Sequence, residues 1–251
     1  MSFEIVTVPC REDNYAYLIH GHGKTALVDA PEAAPIRAAL DERGWALDEI
    51  WITHHHNDHV EGVDALRNGA TVRGAKADAH RLPALDQEHS DGDRFDFAGS
   101  AVQVLDVSGH TVGHIAFYLP GASAVFTADS LMALGCGRVF EGTFDQMWAS
   151  LSKLASLPEE TMIYSGHEYT ESNGRFALSI EPENPALLAR VERVKAARAD
   201  GQPTVPSRMD EELATNPFLR AGLAEVKSIL HMSDANDAEV FAEIRRRKDS
   251  F

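Results

Sequence analysis

The sequence predicts an α/β domain of about 170 residues followed by a small all-α one. Three observations predict it. Apolar runs with strand character recur as far as Ser165, and several end on a Gly or Thr followed by a potential metal ligand. Beyond about Tyr169 these runs stop and the apolar spacing becomes helical. Between the two styles of pattern, Thr53-His54-His55-His56-Asn57-Asp58-His59 joins the apolar run Ile50-Trp51-Ile52 to Val60, Val63 and Leu66, spaced like the inner face of a helix. Residues 1–168 are expected to form the first unit and residues 169–251 the second.

In chain order, Phe3 to Val8 alternates as a strand does, and Cys10 to Asn14 is a turn. Tyr15 to His20 is a second strand, Gly21-His22-Gly23-Lys24 has hairpin chemistry, and Thr25 to Asp29 is a third strand. Ile36, Ala39 and Leu40 start a helix that Gly44 ends. Thr71 to Gly74 reads as a strand, whereas Asp78 to Arg94 is polar and has no clear period. Val102 to Val107 is a strand running into Ser108-Gly109-His110-Thr111-Val112-Gly113-His114, and Ile115 to Leu119 returns. Ala124 to Ala128 delivers Asp129, Phe144 to Leu154 is helical, and Thr161 to Ser165 delivers Gly166-His167-Glu168. In the tail, Asn184-Pro185 opens a helix to Ala199, and Gln202 to Ser207 is a linker. Leu223 to Leu230 and Asp237 to Arg247 are two further helices. If the strands before His54, His110, Asp129 and His167 share one sheet direction, the four collect along one edge.

Four histidines in six residues between two apolar runs need a reason that a solvated turn does not give. His54 and His56 project to the same side of an extended backbone. Asp58 and His59 lie at the helix mouth. This is more than one metal needs, so two ions side by side are expected. The candidate ligands are His54, His56, Asp58, His59, His110, Asp129 and His167. Nitrogen and carboxylate donors without cysteine suit two divalent ions, zinc first, with iron or manganese as alternatives. One ion could take His54, His56 and His110, the other Asp58, His59 and His167, with Asp129 between them. Open positions on both leave room for water, as in a catalytic site. His55 points away and orients its neighbours, and His114 supports the site or the fold. Asp29 is a candidate support for a ligand histidine. His20, His22, His80, His89 and His231 read as surface residues.

The formal net charge of −16 argues against nucleic acid and anionic membrane as partners. No apolar run approaches the roughly 20 residues a membrane-spanning helix needs. The N-terminus shows no basic region or long apolar core of a signal peptide. Two cysteines, Cys10 and Cys136, make a disulfide framework unexpected. A cytoplasmic monomer is the expectation.

Thr53-His54-x-His56-x-Asp58-His59, Gly109-His110-Thr111-x-Gly113-His114, Thr127-Ala128-Asp129 and Ser165-Gly166-His167-Glu168 together resemble the metallo-β-lactamase superfamily. The resemblance implies an αββα sandwich with the metals at one edge. Gly135-Cys136-Gly137-Arg138-Val139-Phe140-Glu141-Gly142-Thr143, Gly166-His167-Glu168-Tyr169-Thr170 and the terminal Arg245-Arg246-Arg247-Lys248-Asp249-Ser250-Phe251 narrow it to the glyoxalase II (hydroxyacylglutathione hydrolase) family. That family's helical tail helps hold glutathione. By position, Arg245 and Lys248 would grip its glycine carboxylate end, Tyr169 would hydrogen-bond the peptide, and Arg138 would join them. Arg138 stands where the family often has Lys, keeping the charge with a different geometry. Phe140 stands where it often has Tyr, without the hydroxyl, and Asn57 where some members carry a bulkier residue.

The implied substrate is a small glutathione thioester, chiefly S-D-lactoylglutathione, cleaved to D-lactate and glutathione in methylglyoxal detoxification. A hydroxide bridging two ions would attack, oriented by Asp58 and Asp129, and one ion would receive the oxyanion. A thiolate leaves readily, its thiol pKa being roughly 8.5. The rivals are a glutathione persulfide dioxygenase, with the same fold and one iron, and another hydrolase of the superfamily such as a lactonase. A flavodiiron oxidoreductase tends to need Glu at His56, and no flavin domain is present; a nuclease is disfavoured by the charge.

Overall fold

The computed structural model describes residues 3–251, so the reading of Met1 and Ser2 as part of a leader-free N-terminus lies outside it. The chain opens with β1 (Glu4–Cys10), β2 (Asn14–Gly21) and β3 (Lys24–Val28), an antiparallel meander. Helix α1 (Ala33–Arg43) ends at Gly44, whose φ of 65° is left-handed and free of Cβ strain. Then come β4 (Glu49–Trp51), two single helical turns α2 (Asn57–Val60) and α3 (Val63–Leu66), β5 (Thr71–Ala75) and β6 (Gln87–His89). The three strands β4, β5 and β6 continue the sheet in parallel, in the order β1-β2-β3-β4-β5-β6.

A second six-stranded sheet begins with the antiparallel run β7 (Arg94–Phe97), β8 (Ser100–Asp106), β9 (Ile115–Leu119) and β10 (Ala124–Ala128). A small hairpin follows, β11 (Leu131–Met132) with β12 (Gly135–Cys136), then α4 (Phe144–Ala155) and β13 (Met162–Ser165), parallel to β10. Thr143 caps α4 reciprocally with Gln146, Thr143 Oγ1 accepting the Gln146 N–H at 3.1 Å. The tail holds α5 (Thr170–Ile180), α6 (Pro185–Ala199), β14 (Ser207–Arg208), α7 (Met209–Thr215), α8 (Ala224–Ile229) and α9 (Asp237–Asp249). Asn236 caps α9 with Glu239, and the basic Arg246, Arg247 and Lys248 sit in its last turn, where the helix dipole favours cations.

The layers follow from which face each strand buries. Along β2, Tyr17 and Ile19 point to the other sheet and, with Trp51 of β4, pack against its Phe117 and Phe126. Their neighbours Ala16 and Leu18 point outward, against Ile36 and Leu40 of α1 and Val63 and Leu66 of α3. On the far side, Val125 and Ile163 pack against Met147, Leu151 and Leu154 of α4 and against Phe176, Phe218 and Phe241 of the tail. The central strands are therefore buried on both faces and read as near-continuous apolar runs. Each fully buried large side chain contributes about 1.5–3 kcal/mol. The result is an αββα sandwich with a helical extension.

The structure adds to the sequence reading or corrects it at four places. The polar stretch before Arg94 contains β6, and β7 starts at Arg94 itself. Helix α5, unread because Asn173 and Gly174 interrupt its apolar pattern, covers the second sheet through Phe176 and Ile180. The expected linker ends in β14, which pairs with β13 antiparallel. His89 is buried and stacks on Phe95 at 5.0 Å, and His20 is half-buried against Trp45 at 4.3 Å.

Candidate metal centre

The seven candidate ligands arrive from both sheets, not from one. Strands β8, β10 and β13 run in one direction in the second sheet and deliver His110, Asp129 and His167 beyond their ends. His54 and His56 follow β4 of the first sheet, and α2 carries Asp58 and His59. The site therefore lies where the ends of the two sheets meet.

Two clusters result. The ligand atoms of His54, His56 and His110 lie within 4.8 Å of one another, as do those of Asp58, His59 and His167. In the first cluster, His56 Nδ1 is 3.1 Å from His54 Nε2 and 3.0 Å from His110 Nε2. The Asp129 carboxylate lies between the clusters, 3.5 Å from His110 Nε2, 3.5 Å from His59 Nε2 and 3.3 Å from His167 Nε2.

The remote ring nitrogens decide what these atoms offer. His110 Nδ1 donates to the Arg138 carbonyl at 2.8 Å, His59 Nδ1 to Asp29 Oδ2 at 2.7 Å, and His167 Nδ1 to Asp13 Oδ1 at 2.9 Å. Thr53 Oγ1 donates to Asp29 Oδ2 at 2.8 Å, so it accepts from His54 Nδ1 at 3.0 Å. Each partner places the proton on Nδ1 and leaves a bare lone pair on Nε2 facing the centre. Lone pairs converging at 3 Å repel unless a cation lies among them. His59 Nε2 and Asp129 Oδ1 are buried without any hydrogen-bond partner. Orphaned atoms of this kind, in an oxygen-and-imidazole donor set, fit divalent metal.

The electrostatics agree. Burial alone would lower His59, but Asp129 and Asp29 outweigh it and raise the ring to about 10. His167 behaves likewise: Asp129, Asp58 and Asp13 carry it past its burial to about 11. Hydrogen bonding from His167 holds Asp58 well below the usual carboxylate range, against its own burial. This pocket of negative charge takes protons where it has no other cation. Burial keeps His54 and His114 neutral.

The backbone bends to bring the carboxylates in. Asp29 (φ 55°) and Ala128 (φ 43°), the residue before Asp129, both sit in the left-handed region, at a cost on the order of 1–3 kcal/mol each. Glycine allows the closest approaches. A Cβ on Gly166 would stand 2.4 Å from Asp129 Oδ1, and one on Gly137 would stand 1.9 Å from the Asp129 carbonyl.

The candidate substrate residues open onto the same cleft of about 400 Å³ as the metal ligands. Tyr169 stacks on His167, ring centroids 4.7 Å apart. Arg138, Arg245 and Lys248 line the cleft too. Phe140 is 61% exposed, its ring edge toward His56 and His110. His55, expected to orient, meets the buried Asp78 at 2.8 Å, and His114 stacks on His54 at 4.5 Å. Sequence reasoning missed Asp13 and Asn14. Asn14 Nδ2 donates to the Asp58 carbonyl at 3.1 Å and to its Oδ2 at 3.2 Å. An Asp-Asn pair at a hairpin corner is ordinary turn chemistry, so nothing in the sequence marked it.

The family model for the metallo-β-lactamase superfamily matches residues 11–167, and that for the hydroxyacylglutathione hydrolase C-terminus matches residues 168–251. A hydroxyacylglutathione hydrolase of Ruegeria pomeroyi is 66% identical over 255 aligned positions, covering 100% of both chains. One of Methylococcus capsulatus is 52% identical, covering 99% of this chain and 98% of the other. Among solved structures, BLEG-1 B3 metallo-β-lactamase superposes with a TM-score of 0.67 at 18% identity, covering 86% of this chain and 99% of that one. ETHE1 from Myxococcus xanthus superposes with a TM-score of 0.64 at 24% identity, covering 98% and 97%. At such identities these two likenesses speak for the fold alone.

Proposed function

We infer the reaction from one premise: this chain belongs to the hydroxyacylglutathione hydrolase family, of metallo-β-lactamase fold. It hydrolyses the thioester of S-(2-hydroxyacyl)glutathione, chiefly S-D-lactoylglutathione, to the 2-hydroxy acid and glutathione. One observation carries the assignment to this site. A single cleft is lined by His56, Asp58, His110, Asp129 and His167 of the ligand clusters and by three cationic side chains, as an anionic thioester requires.

His54, His56 and His110 would hold one divalent ion and Asp58, His59 and His167 a second, with Asp129 shared. When bound, these ions (zinc first, iron or manganese as alternatives) lower the pKa of water to roughly 7 and steady charge on the substrate carbonyl oxygen. The protein supplies the rest. Asp58 and Asp129 orient the attacking water through their carboxylate oxygens. Asn14 donates to Asp58 and keeps its carboxylate turned inward. Tyr169, on its His167 platform, flanks the peptide of glutathione, while Arg138, Arg245 and Lys248 take its carboxylate end. The thiolate leaves without a general acid, since a thiol pKa of roughly 8.5 makes it a tolerable leaving group.

A catalytic unit of residues 1–168, a glutathione-binding unit of residues 169–251, a cytoplasmic monomer and a role in methylglyoxal detoxification complete the proposal. No helix among the described residues is long and apolar enough to cross a membrane.

The test is a metal-replete assay of S-D-lactoylglutathione thioester loss by absorbance, beside an acyl-CoA thioester and a lactone. Rapid loss of the glutathione ester alone is expected. Turnover of the others without it would overturn the substrate and leave the fold in place.

A further inference from the structure

The cationic end of the cleft already contains an anion. Asp249 Oδ1 accepts from Arg138 Nε at 3.2 Å and from an Arg245 terminal nitrogen at 3.0 Å. The Asp249 backbone carbonyl takes a second Arg138 nitrogen at 3.4 Å. These are long for charge-assisted contacts, which cluster near 2.7–2.9 Å. The two arginines differ. Arg245 is buried and pinned to the Cys136 carbonyl at 2.9 Å, whereas the Arg138 side chain is 53% exposed and lies over the Phe140 ring. Lys248, the residue before Asp249, has no carboxylate partner among the described residues. Its Nζ meets the Ser172 carbonyl at 3.5 Å and faces the rings of Phe176 and Phe251. The last turn of α9 thus presents a cation to the cleft and, beside it, an anion that competes for the cleft's other cations.

We propose that Asp249 is an internal counter-ion of the cleft: it holds Arg138 when the cleft is empty, yields it to the glycyl carboxylate of the thioester, and reclaims it as glutathione departs. The proposal rests on the assignment of Arg138, Arg245 and Lys248 to the glutathione end. Exchange at Arg138 costs little, because the pair is half-exposed and loosely spaced. Arg245 keeps its Cys136 contact throughout and stays in place. Product and substrate share the same carboxylate, so Asp249 weakens both by the same factor. It sets how tightly the cleft holds either molecule and how readily glutathione departs.

The experiment measures KM for S-D-lactoylglutathione and the inhibition constant of glutathione in the metal-loaded protein and in Asp249→Asn. Both are expected to fall about two- to fivefold, the range that half-exposed ion pairs support. Asp249→Glu should restore both toward the starting values. With a thioester whose glycyl carboxylate is capped as the amide, the KM ratio of the two proteins should return to one, because nothing then competes with Asp249. A purely structural Asp249 would move both substrates alike. An unchanged or raised KM in Asp249→Asn, or an equal fall on the capped substrate, overturns the proposal. Asp249→Ser serves if the asparagine variant fails to accumulate. Arg138→Ala separates the two ideas. If it raises KM and Asp249→Asn does not lower it, the counter-ion role alone fails. If it leaves KM unchanged on both substrates, the glutathione end itself is misplaced.

Discussion

The two ends of the cleft are built to different tolerances. At the metal end, the remote nitrogens of His54, His59, His110 and His167 are each fixed by a side chain or carbonyl, and Asp29 alone holds both Thr53 and His59. At the cationic end, Arg138 is half-exposed, Lys248 meets one weak acceptor, and only Arg245 is buried. The contrast follows the work of each end. Reaction needs donors fixed to a fraction of an ångström, whereas a flexible peptide substrate has to enter and leave. Rigidity is spent where the bond breaks, and looseness is kept where the ligand is exchanged.

The sharpest way to break this comparison is to remove one ligand. His54→Ala should lower kcat about a thousandfold, since several kcal/mol of charge stabilisation go with the metal and each 1.4 kcal/mol is tenfold. Metal content per chain, measured by elemental analysis with folding checked by circular dichroism, should fall as well. Full activity would remove the His54 cluster from the reaction.

Next in size is the support behind the ligands. Asp29→Asn keeps the shape but removes the charge that Thr53 and His59 share, and a loss of about 10–100-fold in metal affinity is expected. Competition with a chelator measures it. Affinity that does not change would mean that the tight end is no tighter than the loose one.

The smallest effect belongs to the loose end and is read by pH. Burial, then the nearby Arg245 and Arg175, pull Lys248 from 10.5 to about 8. The ammonium form grips a carboxylate, so binding is strongest below that value and fades as pH rises through it. Accordingly kcat/KM should decline above about pH 8, and Lys248→Arg, which stays charged, should remove that limb. The stability sign is the reverse. The folded value lies below the unfolded one, so the charged form costs stability below pH 8, and the cost disappears as pH rises toward 10.5. A bound carboxylate relieves that cost, and thermal melts with and without glutathione should show a larger gain at pH 7 than at pH 9. Equal gains at both would take Lys248 out of the site.

How legible was all this in the sequence? The apolar runs and the residues at their ends were plain, because a strand buried on both faces leaves an unbroken apolar signal and His or Asp at its end stands out. That signal placed His54, His110, Asp129 and His167 correctly at strand ends, though not in which sheet. Asp29 could be suspected because it too ends a strand. Asp13 and Asn14 could not, because they reach the site through tertiary pairing of the first hairpin corner with His167 and Glu168. Helix α5 was hidden for another reason: Gly174 packs on Val191, a contact with α6 that no local pattern reports. The pairing of Arg138 with Asp249 spans 111 positions and was equally out of reach.

The two-residue strand β14 has a consequence for how this protein can be cut. Ser207 and Arg208 lie along β13, whose far end delivers His167. Without them the second sheet would end on bare main-chain amides and carbonyls. An uncovered strand of that kind recruits strands from other molecules. A version trimmed after residue 168 would therefore tend toward precipitation, and the tail acts as a selvedge that keeps the sheet from fraying.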